Sequence, residues 1–399
     1  MNGVYTPHPN TQRVNDAPNL RIGLSVRTLC NPDFEGQLDG IGVYTRHLWQ
    51  QLDASRRVDV HPIVGFGRRY EELASTYSRG FAFPLNYGAS GALSIVSKAP
   101  FPGARLLSQS IDVFHATDYW IPKLAGVPVV ATLHDAIPLS HPEWATPQHR
   151  AAKNFLMRAA VHWADAIITV SATMVPEIVD QFRVPPERIT VIHNGVDDEW
   201  FRRIPAEMQR TMLARHGLAP GYFLTVGTLQ PRKNLARLFA AYRALPARIR
   251  REHPLVIVGR MGWGVDDLLP AIRVAQATGE VFWLDYVPDA ELRAIFQGAR
   301  ALVFPSLYEG FGMPVVEAFA SGVPVLTSTV SALPEVAGDA ALQVDPLEVE
   351  AIREAMLRLA EDSALCARLV AAGALRARRF SWQNCAEQVA KVYRNAART

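Results

Sequence analysis

Two short stretches carry residue types suited to chemistry. EGFGMPVVE, residues 309–317, places Glu309 in a glycine-rich loop and Glu317 where a helix should begin, and GTLQPRKNLARLF, residues 227–239, sets Arg232 beside Lys233. Ionised carboxylates only accept hydrogen bonds, so the vicinal hydroxyls of a sugar or a ribose are natural partners for the two glutamates. An arginine fork next to a lysine point charge suits a diphosphate. Gly310 and Gly312 let backbone N–H groups approach a ligand, and the helix start expected at Met313 and Pro314 favours an anion. A plainer reading stays open, in which Glu317 complements the helix dipole and Glu309 is a solvated loop charge. The basic pair is harder to dismiss as a solvated helix start. Cations sit unfavourably at that end of a helix, so an anion must offset them.

Both stretches follow short Val- and Ile-rich runs, and such runs recur along the chain between helix-length amphipathic segments, the pattern of βα units on parallel sheets. RIGLSV, VDVHPIV, DVFHATD, VPVVATLHD, DAIITVS and RITVIHNGV fill the first half; YFLTVGT, PLVIVG, VFWLDYV, ALVFPS and VPVLTS fill the second. Sheets of this kind bind ligands at the carboxyl ends of their strands, which is where both stretches fall. The Asn-Gly turn in HNGVD and the loss of strand character after it mark a join. The expected organisation is a loose tail over 1–19, an N-terminal domain over 20–205, a C-terminal domain over 206–380 and a final helix over 381–399. At 399 residues each half is long enough to bury its own core.

Strand ends of the first half offer further candidates. His134 and Asp135 close VVATLHD; a capping or core role is the ordinary fate of such a histidine, but its place at a strand's carboxyl end makes it a site candidate. Gly40 and Gly42, in DGIGVYTRHLWQQL, open a helix, so their amides are expected to face a phosphate, an ordinary glycine turn being the plainer reading. In FHATDYW the residues His115, Asp118 and Tyr119 suit a sugar acceptor, or else simply pack.

A formal net charge of +3, from 41 Lys and Arg against 38 Asp and Glu, does not suggest nucleic-acid binding. Three cysteines, far apart and odd in number, suggest neither a disulfide framework nor a zinc site. The N-terminal residues lack a signal-peptide pattern, and a reducing cytoplasm fits best. GFAFPLNYGASGALSIVS, residues 80–97, carries no charge but is broken by Pro84, Gly88 and Gly91, and reads as a loop and helix or as a lipid-facing surface.

Together, E-x7-E in EGFGMPVVE and RKN after the first strand of the second domain resemble the retaining, nucleotide-sugar-dependent glycosyltransferases of the group-four type, and the likeness runs from DGIG at 39–42 through HNGVD to the final FSW helix. It implies an α/β GT-B fold, two Rossmann-like domains facing across a cleft, with the last helix crossing back to the first domain. By that resemblance Glu317 holds the ribose hydroxyls, Glu309 the donor-sugar hydroxyls together with the amides of Gly310, Phe311 and Gly312, and Lys233 the diphosphate. Many members carry an arginine directly after the glycine of the first strand; here Thr228 stands there, so that role passes to Arg232. VGRMGWG and YVPDAEL resemble the family's base-binding region, with backbone groups near Gly259, Arg260 and Val287 reading the base. His134 is implied near the donor sugar's hydroxyls and reacting carbon.

The resemblance further implies retention of configuration and no required metal, because protein cations neutralise the diphosphate. LHDAIPLSHPEW with QPRKN is similar to bacterial mannosyltransferases of O-antigen and exopolysaccharide assembly. GDP-mannose is therefore the expected donor, with GDP-rhamnose, UDP-glucose and UDP-N-acetylglucosamine as alternatives on the same scaffold, and a GT-B nucleotide-sugar epimerase as the rival activity. The expected acceptor is a glycan or an undecaprenyl-diphosphate-linked oligosaccharide. That acceptor would bring the chain to the inner face of the membrane, with QHRAAKNFLMR, residues 148–158, supplying cations and apolar neighbours or merely a solvated helix face.

Overall fold

The computed structural model describes residues 19–30, 38–144 and 149–398. Apart from Asn19, the tail expected over 1–19 lies outside the described residues, as does Gln148. The chain forms two compact units: one runs to Asn194 and takes back Trp382 onward, and the other is Gly195–Ser381. The division thus falls upstream of the expected Pro205. Its position has a local cause, since Val196 N–H donates to the Phe380 carbonyl at 3.1 Å and pairs with Ser381, so the segments entering and leaving the second unit lie side by side within it.

The first unit holds seven strands, β1 (Leu20–Ser25), β2 (Val58–Phe66), β3 (Phe81–Phe83), β4 (Val113–Ala116), β5 (Val129–Leu133), β6 (Ala166–Thr169) and β7 (Ile189–Val191). They make one parallel sheet in the order β3-β2-β1-β4-β5-β6-β7. The second unit holds β8 (Tyr222–Val226), β9 (Leu255–Val258), β10 (Val281–Leu284), β11 (Ala299–Phe304), β12 (Val325–Ser328) and β13 (Leu342–Val344), also all parallel, in the order β10-β9-β8-β11-β12-β13. Parallel strands buried on both faces read as continuous apolar runs, which is why β5 (VVATL) and β9 (LVIV) are buried throughout.

The helices that matter for function are α1 (Gly40–Ser55), α2 (Tyr87–Ser97), α3 (Ala104–Ser108), α4 (Arg150–Val161), α5 (Leu235–Arg243), α6 (Met313–Ala320) and α7 (Trp382–Ala396). The last belongs to the first unit, where it buries Trp382, Cys385, Val389, Val392 and Tyr393. His47 of α1 stacks on Trp382 with ring centroids 5.0 Å apart. In the second unit Phe223, Leu238, Phe239, Ile257, Val303 and Met356 anchor one continuous core between sheet and helices.

Candidate active site

Strands β8 and β11 are neighbours in the second sheet, so the loops leaving their carboxyl ends meet. Arg232 and Lys233 lie on a single 3-10 turn, Pro231–Lys233, ahead of α5. Asn234 then takes a left-handed conformation and donates its amide to the carbonyls of Pro305, at 2.9 Å, and Pro346, at 2.6 Å. Leu307 N–H donates to the Arg232 carbonyl at 2.8 Å. The basic turn is therefore fastened to the glutamate loop by backbone and side chain alike.

The anion that the two cations require is in the chain itself. Lys233 Nζ lies 2.6 Å from Glu309 Oε1, and Arg232 donates to Glu309 Oε2 at 3.0 Å. Glu309, expected to face hydroxyls, instead gives one oxygen to each cation in the ligand-free protein, and it is buried. The cluster carries a net charge of +1. Burial pushes the Lys233 ammonium down to about 8 despite the pull of Glu309, with Arg232 adding to the fall. Burial would raise the Glu309 carboxyl, but Lys233 and Arg232 outweigh it and hold the group below its usual range. Both ions of the pair are charged at neutral pH.

Three residues complete this cluster. Gly227, at φ 136°, directly follows β8, and a Cβ there would lie 3.1 Å from Lys233 Cε, so a side chain at 227 would press on the lysine and strain the backbone. Ser331 donates its hydroxyl to the Glu309 carbonyl at 2.6 Å and accepts from the Glu309 N–H at 3.0 Å, clamping the loop on both sides. Gly312 sits at φ 104° directly before α6, where a Cβ would strike Leu333 at 2.7 Å. No side chain caps α6, and Pro314 occupies its first turn. Ser331 gave no signal in sequence, whereas Asn234 belongs to the RKN stretch.

Glu317 lies one helical turn inside α6, half-buried, and its carboxylate has no hydrogen-bond partner among the described residues. Burial, with Asp289 adding to it, raises this carboxyl to about 8. The two glutamates are thus in opposite states: Glu309 ionised and paired, Glu317 protonated at neutral pH and unpartnered. Phe311 packs edge-on against Phe380, which gives it a packing role beside its backbone amide. Near the expected base-binding region, the Gly259 N–H donates to Leu284 and its carbonyl accepts from Trp283 Nε1 at 2.8 Å, so both backbone groups already have partners. The Arg260 carbonyl accepts from Leu229, and Val287 is buried.

In the first unit the structure sorts the candidates differently. His134 Nε2 donates to the Thr117 carbonyl at 3.1 Å, and its ring stands edge-on to Tyr44 at 4.8 Å. Burial lowers its pKa, so the ring is neutral and presents Nδ1 as an acceptor. His115 is no acceptor-site residue. It is fully buried with Nδ1 2.7 Å from Tyr393 Oη of α7 and Nε2 2.8 Å from Thr132 Oγ1, and burial, with His134 adding to it, lowers its pKa to about 3. Asp118 is likewise committed: it pairs with Arg27 and accepts from the Trp120 N–H at 2.9 Å. The Tyr119 hydroxyl donates to Asp135, bracing the residue after His134. The Gly42 amide, expected to face a phosphate, donates to the capping carboxylate of Asp39 at 2.7 Å, while Gly40 is exposed and a Cβ there would meet nothing within 4 Å.

The reassignment of His115 has a measurable consequence. His115→Ala removes a buried ring and takes its partner from the Tyr393 hydroxyl, while Thr132 keeps its bond to Tyr44; this should cost about 3 kcal/mol and lower the melting temperature by roughly 6–12 °C. Nucleoside diphosphate affinity, measured on the folded protein at low temperature, should not change. A variant that melts like the wild type but loses acceptor-dependent turnover would return His115 to the acceptor site.

Comparison with known proteins gives the family. Residues 38–200 match the Glycosyltransferase Family 4 domain, and residues 214–376 match Glycosyl transferases group 1. The O-antigen chain mannosyltransferase B of Escherichia coli is 32% identical over 373 residues, covering 90% of this chain and 96% of that protein. A glycogen synthase of Mycobacterium tuberculosis is 34% identical over 307 residues, 72% of this chain and 69% of that one. Among solved structures, HepE of Anabaena in complex with UDP and glucose superimposes with a TM-score of 0.70 at 18% identity over 94% of this chain and 100% of that one, a likeness of fold. Two such domains on two parallel sheets, matched over nearly the full length by a sugar-transferring relative, place the chain among the GT-B glycosyltransferases that join a Family 4 domain to a group 1 domain.

Proposed function

We propose that this glycosyltransferase moves mannose from GDP-mannose, with retention of anomeric configuration, onto a glycan or an undecaprenyl-diphosphate-linked oligosaccharide at the cytoplasmic face of the inner membrane. The observation that carries the donor class is the Arg232–Lys233–Glu309 cluster, a net positive charge fixed at the carboxyl ends of β8 and β11 beside an uncapped helix start. A nucleotide's diphosphate is the anion that such a cluster fits. The choice of mannose rests on the similarity to the Escherichia coli mannosyltransferase.

In this reading the diphosphate takes Lys233, Arg232 and the amides at the start of α6, and its arrival frees Glu309 to accept from the sugar's hydroxyls. Glu317, still without a partner, accepts from the ribose diol. Nδ1 of neutral His134 accepts from a hydroxyl of the transferred sugar. The bond from C1 to the diphosphate oxygen breaks with its electron pair leaving on that oxygen. The acceptor hydroxyl oxygen attacks C1 from the same face, and its proton passes to the departing diphosphate. Charge builds on the leaving group, so the cations do most of the work and no metal is needed.

The test is consumption of GDP-mannose, GDP-rhamnose, UDP-glucose and UDP-N-acetylglucosamine in turn, with a mannan oligosaccharide as acceptor, followed by proton NMR of the new anomeric centre. GDP-mannose should be consumed fastest and yield the α-anomer. Preference for a UDP-sugar, an inverted product, or an epimerised nucleotide sugar formed without acceptor would each overturn part of the proposal.

A further inference from the structure

Helix α2 is built inside out. Its buried face is Tyr87, Ser90, Gly91 and Ser94, and the hydroxyls of both serines are buried without a hydrogen-bond partner. Its outward face carries Leu93, 49% exposed, and Val96, 84% exposed. A helix on a water-facing surface puts its apolar stripe inward and its serines outward. This one does the reverse, and it contains no charged residue at all.

The neighbouring elements share the feature. Gly91 lies against Leu156 of α4, and α4 exposes Phe155 to 63%. The Gly103 turn that opens α3 lies against Pro84, next to exposed Leu85, and α3 exposes Leu106 to 65%. The ring of Phe101 ties the two regions by packing on Tyr87 at the start of α2. Four large apolar side chains are therefore exposed on these three helices of one unit, with Leu85 in the segment just ahead of α2. Single exposed apolar residues need no explanation, but a group of this kind marks an interaction surface.

Charge identifies the partner. No aspartate or glutamate occurs between Glu72 and Asp112 or between Glu143 and Asp165, although the chain carries 38 of them. Those two stretches contain α2, α3 and α4, and their charged residues are all cations, among them exposed Lys98, Arg105 and Lys153. An apolar face whose own charged residues are all cations is complementary to an anionic bilayer, whose acyl region takes the apolar side chains and whose phosphates take the cations. Among the described residues no helix is long and apolar enough to cross a membrane, so the contact is with the surface. We infer that α2, α3 and α4 form a docking face for an anionic phospholipid membrane, with Leu93 and Val96 entering the acyl boundary. The inference stands on this face alone and does not depend on which sugar is transferred.

Flotation with vesicles of phosphatidylcholine, with and without phosphatidylglycerol, tests it. The wild type should float with the phosphatidylglycerol vesicles and far less with phosphatidylcholine alone. Leu93→Asn with Val96→Asn should reduce the bound fraction at least about tenfold, and Lys98→Gln with Lys153→Gln several-fold and only on anionic vesicles. Both pairs are at exposed positions, so folding and GDP affinity should stay at wild-type values, which circular dichroism and calorimetry verify. Equal flotation of the wild type and the Leu93/Val96 variant would overturn the inference. So would absence of vesicle binding together with a concentration-dependent dimer, by sedimentation, that the same variant dissociates, because the face would then belong to a second copy of the chain.

Discussion

Replacing Lys233 with alanine is expected to slow sugar transfer about a hundredfold, the loss typical when one preorganised charge stabiliser is removed, or about 2.7 kcal/mol of barrier. Lys233 is the better placed of the two cations: it is the more buried, it lies above the ring of Phe304 with 4.8 Å to the centroid, and Gly227 leaves it room. The fold should tolerate the change, because Arg232 still pairs with Glu309. The same group fixes a pH limit. With its pKa lowered to about 8, the ammonium loses its proton as pH rises through that value, so donor affinity should fall on the alkaline side while Glu309 stays ionised throughout. Unchanged turnover in folded Lys233→Ala would reduce the basic turn to a structural ion pair.

Glu309→Gln should separate binding from chemistry, with effects of opposite sign. In the ligand-free protein the Glu309 carboxylate occupies both cations, so a diphosphate must displace it. Removing its charge leaves two uncompensated cations, and free GDP should bind several-fold tighter. Transfer should nonetheless fall about a hundredfold, because the released carboxylate is then missing where charge develops on the sugar. Glu317→Ala should behave differently, weakening GDP and GDP-mannose alike, as expected for a contact made equally in ground and transition states. Weaker GDP binding to Glu309→Gln, in step with its rate, would show that Glu309 only builds the pocket.

Eleven of the strands could be read in sequence because parallel strands buried on both faces leave unbroken Val and Ile runs, as in LVIV and VVATL. Strands β3 and β13 were not legible. Each is a three-residue edge strand, half-buried in β13 and partly so in β3, too short to print a period. The residues that meet in the second unit could be picked out because residue type and strand-end position coincide at 232–233 and 309–317. What sequence could not supply is partnership. Glu309 pairs with both cations in the ligand-free protein, a partnership no residue type announces, and Gly42, His115 and Asp118 have the right residue types but spend their polar groups on Asp39, on Tyr393 and Thr132, and on Arg27. Only three-dimensional neighbours across many residues decide such matters.

The most direct test of the central assignment is calorimetric titration of GDP into the wild type, Lys233→Ala and Glu309→Gln, all in EDTA. If the cluster is the diphosphate seat, the wild type binds without metal, Lys233→Ala binds at least about tenfold more weakly, and Glu309→Gln binds more tightly. Equal affinities in all three proteins, or wild-type binding that appears only when magnesium or manganese is restored, would contradict it.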